Sequence, residues 1–216
     1  MAGVYGAASG ICRLTPRARA RMLRPMLRLC AFASGRGSNV RAIHAAIVRG
    51  DLPAELALVI SNNSGSGVLA WAREHDVPAT HISGKTHPDE TQALLDAMAD
   101  ARTDVLVLAG YMKKLDPRLV QAYEGRAVNI HPGPLPRFGG HGMYGGRVHA
   151  AVLEAGVPTS AATVHRVTAE YDEGETLGTA EVEVRPDDTV ESLGARVLHA
   201  EHALYWRVLR DVFVSR

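Results

Sequence analysis

The sequence has little cysteine and no long hydrophobic run. Cys12 and Cys30 are the only cysteines among its 216 residues, so a disulfide framework is excluded and a reducing cytosol is the default compartment. No apolar run reaches the roughly 20 residues that a membrane-spanning helix needs. The formal net charge is only +1, which gives no reason to expect a nucleic-acid partner or a membrane surface. We expect a cytoplasmic protein that binds neither nucleic acid nor membrane.

Metal-binding patterns are also lacking. The ten histidines are scattered along the chain, and no HxxxH or CxxC spacing occurs. Such spacings are typical of zinc sites because they bring two ligands to one ion. We therefore expect no metal ion in the functional site.

Acidic residues are missing from the first 50 positions, which contain nine arginines. Residues 1–26 show neither a strand nor a helix pattern. An arginine-rich, acid-free leader can be a transit peptide, a disordered extension, or the product of a start codon placed too early, since Met22 and Met26 lie just before the first apolar run. We expect a dispensable extension over residues 1–26 and a single domain over residues 27–216, a length that can bury a substantial core.

Short apolar runs alternate with helical patterns through the first half of that domain. After Asp104, residues 105–108 are all apolar without alternation, as expected of a central parallel strand. Towards the C-terminus two alternating runs predict an antiparallel hairpin, and a final helix begins after Thr189 and continues to about Phe213. The predicted strands are 27–33, 56–60, 81–82, 104–108, 127–131, 161–167 and 178–184. The fold class is α/β: a doubly wound, mostly parallel twisted sheet with a C-terminal antiparallel hairpin and a long final helix.

Asn129 and His131 are side by side at the carboxyl end of one predicted strand, where an open α/β sheet binds ligands. They are two positions apart, so their side chains point to the same face. Pro132, Pro134 and Pro136 then end the strand, because proline cannot donate to the ladder. An amide can hydrogen-bond a developing oxyanion and an imidazole can move protons near neutral pH, so the pair suits acyl transfer. On this pair alone, a polar strand end with a surface histidine is the simpler interpretation.

A glycine-containing turn over residues 34–39 (Ser-Gly-Arg-Gly-Ser-Asn) follows the first predicted strand and precedes a helical pattern. This order favours a phosphate site, because glycines admit close approach and the helix N-terminus presents free N–H groups. The turn lacks the third glycine of a dinucleotide fingerprint, which Val40 replaces, and the Gly-Lys-Ser/Thr of a P-loop. A monophosphate is the better ligand. A plain tight turn capped by Ser38 is the alternative.

Residues 137–146 contain five glycines in ten positions. Such a loop is flexible, and from its place after the Asn129 strand we expect it to lie over whatever the strand ends bind. A disordered surface loop is the alternative.

Together these motifs resemble the phosphoribosylglycinamide formyltransferases of purine synthesis. The matching segments are Ser34 to Asn39, Leu108-Ala109-Gly110-Tyr111-Met112, Asn129-Ile130-His131-Pro132 with Leu135-Pro136, Thr163-Val164-His165 with Asp172-x-Gly174, and Glu201-His202 in the last helix. Their order and spacing agree from about Leu27 to the C-terminus. The resemblance implies the formyltransferase fold, and the glycine-rich loop is similar to the longer loop of one bacterial branch of the family.

The resemblance implies transfer of a formyl group from 10-formyltetrahydrofolate to the amine of glycinamide ribonucleotide, N1-(5-phospho-D-ribosyl)glycinamide, in de novo purine (IMP) biosynthesis. The substrate's own amine is the nucleophile, and no metal is implied. By the family motif, Asn129, His131 and Asp172 form the catalytic trio. Asn129 and protonated His131 would stabilise the oxyanion. Asp172 would raise the pKa of His131 and help to move the amine proton to the departing folate nitrogen. Taken alone, Asp172 before Gly174 would be a turn residue.

The resemblance also implies which residues bind the two substrates. Gly37, Ser38 and Asn39 match the ribonucleotide phosphate loop, and Glu201 matches a helical carboxylate that contacts the same substrate, with Arg196 a nearby candidate. The residues expected to bind the folate are His87, Met112, Lys113, Lys114 and Leu115, together with Asn129.

Some positions depart from the commonest family pattern. Lys113 replaces an arginine, which keeps the charge and loses the planar fork. His87 falls about where the family often has a basic residue near the folate tail. Residues 174–176 (Gly-Glu-Thr) replace a more apolar run, and His141 stands at a loop position often held by lysine. We assign no role to His141.

Three other functions are alternatives to this one. A methionyl-tRNA formyltransferase has an extra C-terminal β-barrel domain and more basic charge, whereas we expect this chain to end with its last helix. A formyltetrahydrofolate hydrolase has an N-terminal regulatory domain, for which 26 residues are too short. A non-catalytic nucleotide-binding α/β module would not need Asn129, His131 or Asp172. The expected partners are the two small-molecule substrates, and the protein is expected to be a monomer or a homodimer.

Overall fold

A computed structural model of the chain describes residues 26–214. The extension expected over residues 1–26 therefore lies outside the described residues, apart from Met26. The strands are β1 (Leu27–Phe32), β2 (Ala54–Ser61), β3 (Ala79–His81), β4 (Val105–Leu108), β5 (Ala127–His131), β6 (Thr159–Arg166) and β7 (Thr176–Glu183). The helices are α1 (Ser38–Val48), α2 (Gly67–Glu74), α3 (Glu90–Asp100), α4 (Pro117–Ala122), α5 (Gly146–Glu154) and α6 (Val190–Leu209), which continues as a π-helical turn over Arg210–Val214.

The strands form one sheet in the order β3-β2-β1-β4-β5-β6-β7. Strands β1 to β5 are parallel to one another, whereas β6 is antiparallel to both β5 and β7. The predicted fold class is therefore confirmed, including the C-terminal hairpin and the long final helix. The second hairpin strand begins two residues earlier than predicted, at Thr176.

The sheet is buried on both faces, which explains why its central strands lack alternation in the sequence. In β1, Leu29 and Ala31 pack in the cluster that includes residues of α1, α2 and α6. The intervening Cys30 and Phe32 pack in the cluster that includes residues of α3 and α4. Successive side chains of a strand point to opposite faces, so one apolar run supplies both cores.

Helices α3 and α6 begin at residues whose side chains cap them. Asp89 accepts a hydrogen bond from the Gln92 N–H at the start of α3. The Thr189 hydroxyl accepts one from the Ser192 N–H, and the Ser192 hydroxyl accepts one from the Thr189 N–H, which completes a capping box at the start of α6. Each cap satisfies N–H groups that have no partner within the helix.

The order of the strands reverses between β1 and β4, so the loops after these two strands diverge and leave a crevice. The Ser34 N–H donates to the Gly110 carbonyl oxygen at 3.0 Å, which joins the two loops at their bases. Helix α6 is fixed at the same end of the sheet, because the buried Tyr205 hydroxyl lies 2.8 Å from the Leu108 carbonyl oxygen and 3.0 Å from that of Val128.

Candidate active site

The antiparallel pairing of β5 with β6 places Asn129 opposite His165. The Asn129 Nδ2 atom lies 3.1 Å from His165 Nε2, and His165 Nδ1 lies 2.9 Å from the Arg166 carbonyl oxygen. This network assigns the Nδ1 proton to neutral His165, so that its Nε2 accepts a hydrogen bond from the amide. The amide of Asn129 is thereby oriented and keeps a second N–H for another acceptor.

Asp172 lies between two imidazoles. Its Oδ2 atom is 3.5 Å from His131 Nδ1, and its Oδ1 atom is 3.4 Å from His165 Nε2. The other nitrogen of His131, Nε2, donates to the Phe138 carbonyl oxygen at 2.8 Å. The structure thus brings the three predicted catalytic residues together, and Nδ1 is the His131 nitrogen that faces the carboxylate.

The loop around Asp172 depends on glycine at neighbouring positions. Asp172 itself has a left-handed backbone with φ of 58°, and the Gly140 N–H donates to its Oδ2 atom at 2.9 Å. A Cβ at Gly139 would lie 2.9 Å from the Asp172 Cβ, and a Cβ at Gly174 would overlap the Arg166 carbonyl group. These contacts fit the glycine-rich loop closely against the loop that carries Asp172.

Burial decides the protonation of His131. Only 3% of its surface is exposed, and this burial lowers the pKa of His131 below its ordinary value, although the Asp172 charge and the Phe138 carbonyl raise it in part. Asp172 acts on the histidine in the predicted direction, but the predicted net rise of that pKa is wrong because desolvation of the imidazolium is larger. Burial also opposes ionisation of Asp172, yet the neighbouring His165 side chain, the Gly140 N–H and the His131 imidazole hold the pKa of Asp172 below its ordinary value.

A pocket opens beside the Asn129 amide. Its lining consists of Leu108, Tyr111, Lys113, Lys114, Leu115, Asn129, His165, Val167, Thr168, Ala169, Glu170, Tyr171 and Asp172. Four of the residues predicted to bind folate are in this lining: Lys113, Lys114, Leu115 and Asn129. Met112 is outside it, and its N–H donates to the Ser34 hydroxyl at 2.9 Å. His131 lies behind Asp172 and does not line the pocket.

Lys113 does not present a free charge to the pocket. Its Nζ atom lies 2.6 and 2.5 Å from the two carboxylate oxygens of Glu90, the first residue of α3. No pattern in the sequence identified Glu90 as a partner. His87 lies in the loop before α3, outside the pocket lining, with its Nδ1 atom 2.9 Å from the Thr86 hydroxyl.

The predicted phosphate turn leads directly into α1, with Gly37 as the N-cap and Ser38 as the first helical residue. The alternative in which Ser38 caps the helix is therefore wrong. Asn39 Nδ2 donates to Glu201 Oε2 at 2.7 Å across 162 positions of sequence, and Asn39 Oδ1 is buried without a protein partner. Burial raises the pKa of Glu201 to about 7, and the Asn39 hydrogen bond opposes that rise.

Arg196 is not brought to the Asn39–Glu201 pair. Its guanidinium forms a two-atom ion pair with Asp188, at 2.8 and 2.5 Å, and also donates to the Glu183 carbonyl oxygen. These contacts fasten the first turns of α6 to the end of β7. They give Arg196 a structural role in the geometry described.

Replacing Gly37 by alanine should lower the free energy of unfolding by about 2–3 kcal/mol. Gly37 has φ of 72°, and a Cβ there would lie 2.6 Å from the Val68 Cβ, so both backbone strain and overlap oppose the substitution. Denaturant unfolding would measure the loss. The matched control is Gly35→Ala in the same turn, because nothing lies within 4 Å of a Cβ at Gly35. Equal stability of the two variants would contradict this account.

Within residues 26–214, no group of three or more His, Cys, Asp or Glu side chains is arranged to hold a metal ion. None of the helices in this same range has the length and apolar character needed to cross a membrane.

Residues 27–209 match the family model described as Formyl transferase. The chain is 40% identical over 193 residues to a chloroplastic phosphoribosylglycinamide formyltransferase of Arabidopsis thaliana, a match that covers 88% of this chain and 66% of that protein. It is 33% identical over 188 residues to the phosphoribosylglycinamide formyltransferase of Haemophilus influenzae, with 86% of each covered. The crystal structure of glycinamide ribonucleotide transformylase 1 from Geobacillus kaustophilus is similar with a TM-score of 0.80 and 38% identity, over 87% of this chain and 99% of that chain. The chain thus spans just under two thirds of the plant relative and most of the two bacterial proteins.

Proposed function

This chain belongs to the formyl transferase family, and from that premise we propose that it transfers the formyl group of 10-formyltetrahydrofolate to the amine of glycinamide ribonucleotide, a step of purine synthesis. The observation that carries the proposal is a chain of contacts within 3.5 Å: His165 contacts both Asn129 and Asp172, which line one pocket, and Asp172 also contacts the buried His131. The plant and Haemophilus relatives are phosphoribosylglycinamide formyltransferases, which supports the same acceptor and the same transferred group.

Asn129 is suited to stabilise the oxyanion that develops on the formyl oxygen. Its amide is held by His165 Nε2 at 3.1 Å, and its second N–H is left for the substrate. A donor that is already oriented needs no rearrangement as charge develops, which is why removal of one such donor typically lowers kcat by about 10²–10³-fold.

His131 and Asp172 are suited to act together as the base. Before reaction the imidazole is neutral and the carboxylate is ionised, given the directions of their pKa shifts. The pair therefore carries one negative charge and can take up one proton. Asp172, which lines the pocket, receives the proton from the attacking amine, and His131 Nδ1 shares it at 3.5 Å. The imidazolium so formed adds positive charge near the oxyanion, and the proton then passes to the departing folate nitrogen.

The pocket fits a folate. Leu108, Leu115 and Val167 supply apolar walls for a flat ring, and Asn129 and Asp172 line the same pocket. Of the two lysines in the lining, Lys113 is paired with Glu90, so Lys114 is the one suited to attract a carboxylate-bearing tail. The folate supplies the reactive formyl carbon, and the protein orients it.

The turn before α1 fits the ribonucleotide. Free N–H groups at the start of a helix favour a phosphate, and the buried Asn39 Oδ1 atom has no protein partner. The Glu201 carboxylate beside it can accept hydrogen bonds from sugar hydroxyls. Both residues lie at the carboxyl edge of the sheet, the edge at which Asn129 ends its strand.

The direct test is to mix the protein with glycinamide ribonucleotide and a 10-formyl folate analogue and to follow the deformylated folate by absorbance. We expect turnover that requires both substrates. Omission of the ribonucleotide is the control, because formate release without it would indicate a hydrolase. Binding of mononucleotide without any turnover would instead favour the non-catalytic module.

We propose the cytoplasm as the site of this reaction. The free buried thiol of Cys30 is consistent with a reducing compartment. Fractionation with an antibody against the protein would test the location, and recovery in an organelle would contradict it.

A further inference from the structure

Three side chains from three separate loops meet at the rim of the pocket. The Tyr171 ring lies 5.2 Å from the Lys114 Nζ atom and 5.8 Å from the centre of the His141 ring, with an edge-to-face angle of 65°. Lys114 follows β4, His141 belongs to the glycine-rich loop, and Tyr171 lies between β6 and β7. A second contact, 3.5 Å from Lys114 Nζ to Glu170 Oε2, joins the first and third loops at the same point.

The contacts of Tyr171 differ from those of an ordinary surface tyrosine. Its ring is 38% exposed, yet its two partners lie 57 and 30 positions away along the chain. Tyr144 is a useful comparison, since it is 44% exposed and its ring contacts Arg147, three positions along the chain. The Tyr144 contact is local, whereas the Tyr171 contacts hold distant loops together.

Tyr171 immediately precedes Asp172, whose position depends on both neighbouring loops. The Asp172 backbone is left-handed, a conformation that a non-glycine residue keeps only when its surroundings hold it. Gly140, next to His141, donates its N–H to Asp172 Oδ2 at 2.9 Å. Movement of the Tyr171 ring away from Lys114 and His141 would therefore loosen the carboxylate from its two imidazoles.

We propose that Tyr171 is a positioning residue: clasped between Lys114 and His141, it holds the Asp172 carboxylate against His131 and His165. The inference rests on the proposed function for its kinetic consequences, but not for its geometric ones. It gives His141 a role as one of the two side chains that hold the Tyr171 ring in place. The aromatic ring of Tyr171, rather than its hydroxyl, is then the essential feature.

The test compares Tyr171→Ala with Tyr171→Phe and with Tyr144→Ala as the matched control. We expect Tyr171→Ala to lower kcat by about 10-fold with little change in the KM of the formyl folate, because a misplaced catalytic group lowers the rate of the bound complex. Tyr171→Phe should restore kcat to within about twofold, since the ring contacts persist. Tyr144→Ala should leave kcat unchanged.

A nuclear magnetic resonance readout needs no turnover. In Tyr171→Ala the Gly140 amide should lose the chemical shift of a hydrogen-bonded donor, and His131 should titrate at lower pH as the carboxylate retreats. Unchanged Gly140 and His131 signals would overturn the proposal. So would a raised KM at normal kcat, which indicates direct ligand contact, or a failure of Tyr171→Phe to restore kcat. If the wild-type protein shows no formyl transfer, the proposed function fails, and the Gly140 and His131 signals still decide the role of Tyr171.

Discussion

The double variant His131→Ala/Asp172→Asn should lose no more kcat than the more damaging of its two single variants. Each single substitution should lower kcat by about 10²–10³-fold. Independent contributions would multiply, which would make the double variant far slower. Residues that act as one unit behave otherwise, because removal of either member already abolishes what the pair does.

The geometry is the reason to expect one unit. His131 Nδ1 has the Asp172 carboxylate as its neighbour at 3.5 Å, and its Nε2 is occupied by the Phe138 carbonyl. His131 is buried and reaches the pocket only through Asp172. An imidazole without the carboxylate would be harder still to protonate, since the Asp172 charge is the first influence that opposes its desolvation. A carboxylate without the imidazole would lose the neighbour that shares its proton.

The measurement is a double-mutant cycle: single-turnover rates of the wild type, the two single variants and the double variant, with both substrates saturating. His199→Ala is a suitable control, because His199 is exposed on α6 and away from this pair. Circular dichroism should show that all variants remain folded. Multiplicative losses in the double variant would show that His131 and Asp172 act on separate steps, and wild-type turnover in either single variant would remove that residue from the mechanism.

The sequence could predict some residues of this site better than others. The placement of Asn129 beside His131 follows from the period of a strand alone, and the intervening Ile130 indeed packs in the core on the opposite face with Val128. The contribution of Asp172 could not follow from any period. It depends on a left-handed residue in an irregular loop, and only the resemblance to a family indicated it.

Energetic details were the least predictable part. The direction of the His131 pKa depends on how completely the imidazole is buried, which no spacing reveals. The pairing of Lys113 with Glu90 and of Arg196 with Asp188 likewise depends on which side chains the folded loops bring within 3 Å. A motif identifies a basic residue near a site, but whether its charge is free for a ligand is decided by neighbours that are distant in the sequence.

Replacing Glu201 by glutamine should stabilise the protein at alkaline pH and weaken the binding of the ribonucleotide. Relative to wild type, the gain in free energy of unfolding should grow by about 2–3 kcal/mol between pH 5 and pH 8. The KM of the ribonucleotide should rise by about 10- to 100-fold, the typical loss of a hydrogen bond to a charged group.

The expected gain in stability follows from the raised pKa of Glu201, which burial moves from 4.5 to about 7. Between these two values the folded protein binds more protons than the unfolded chain, so wild-type stability falls as pH rises through that window. Above pH 7 the folded state must hold an ionised carboxylate that is 6% exposed. Glutamine carries no charge at any of these pH values, and its oxygen can still accept the Asn39 hydrogen bond, so the penalty disappears.

Urea unfolding of wild type and Glu201→Gln at pH 5, 6, 7 and 8 would measure the difference, with Glu181→Gln as the control because Glu181 is exposed on β7. The control should show no pH-dependent gain. A Glu201→Gln difference that stays constant across the series would mean that Glu201 ionises normally in the folded protein. A variant that is more stable but binds the ribonucleotide less well would instead show that the buried carboxylate serves ligand binding at the expense of stability. Such a trade-off is common for functional residues.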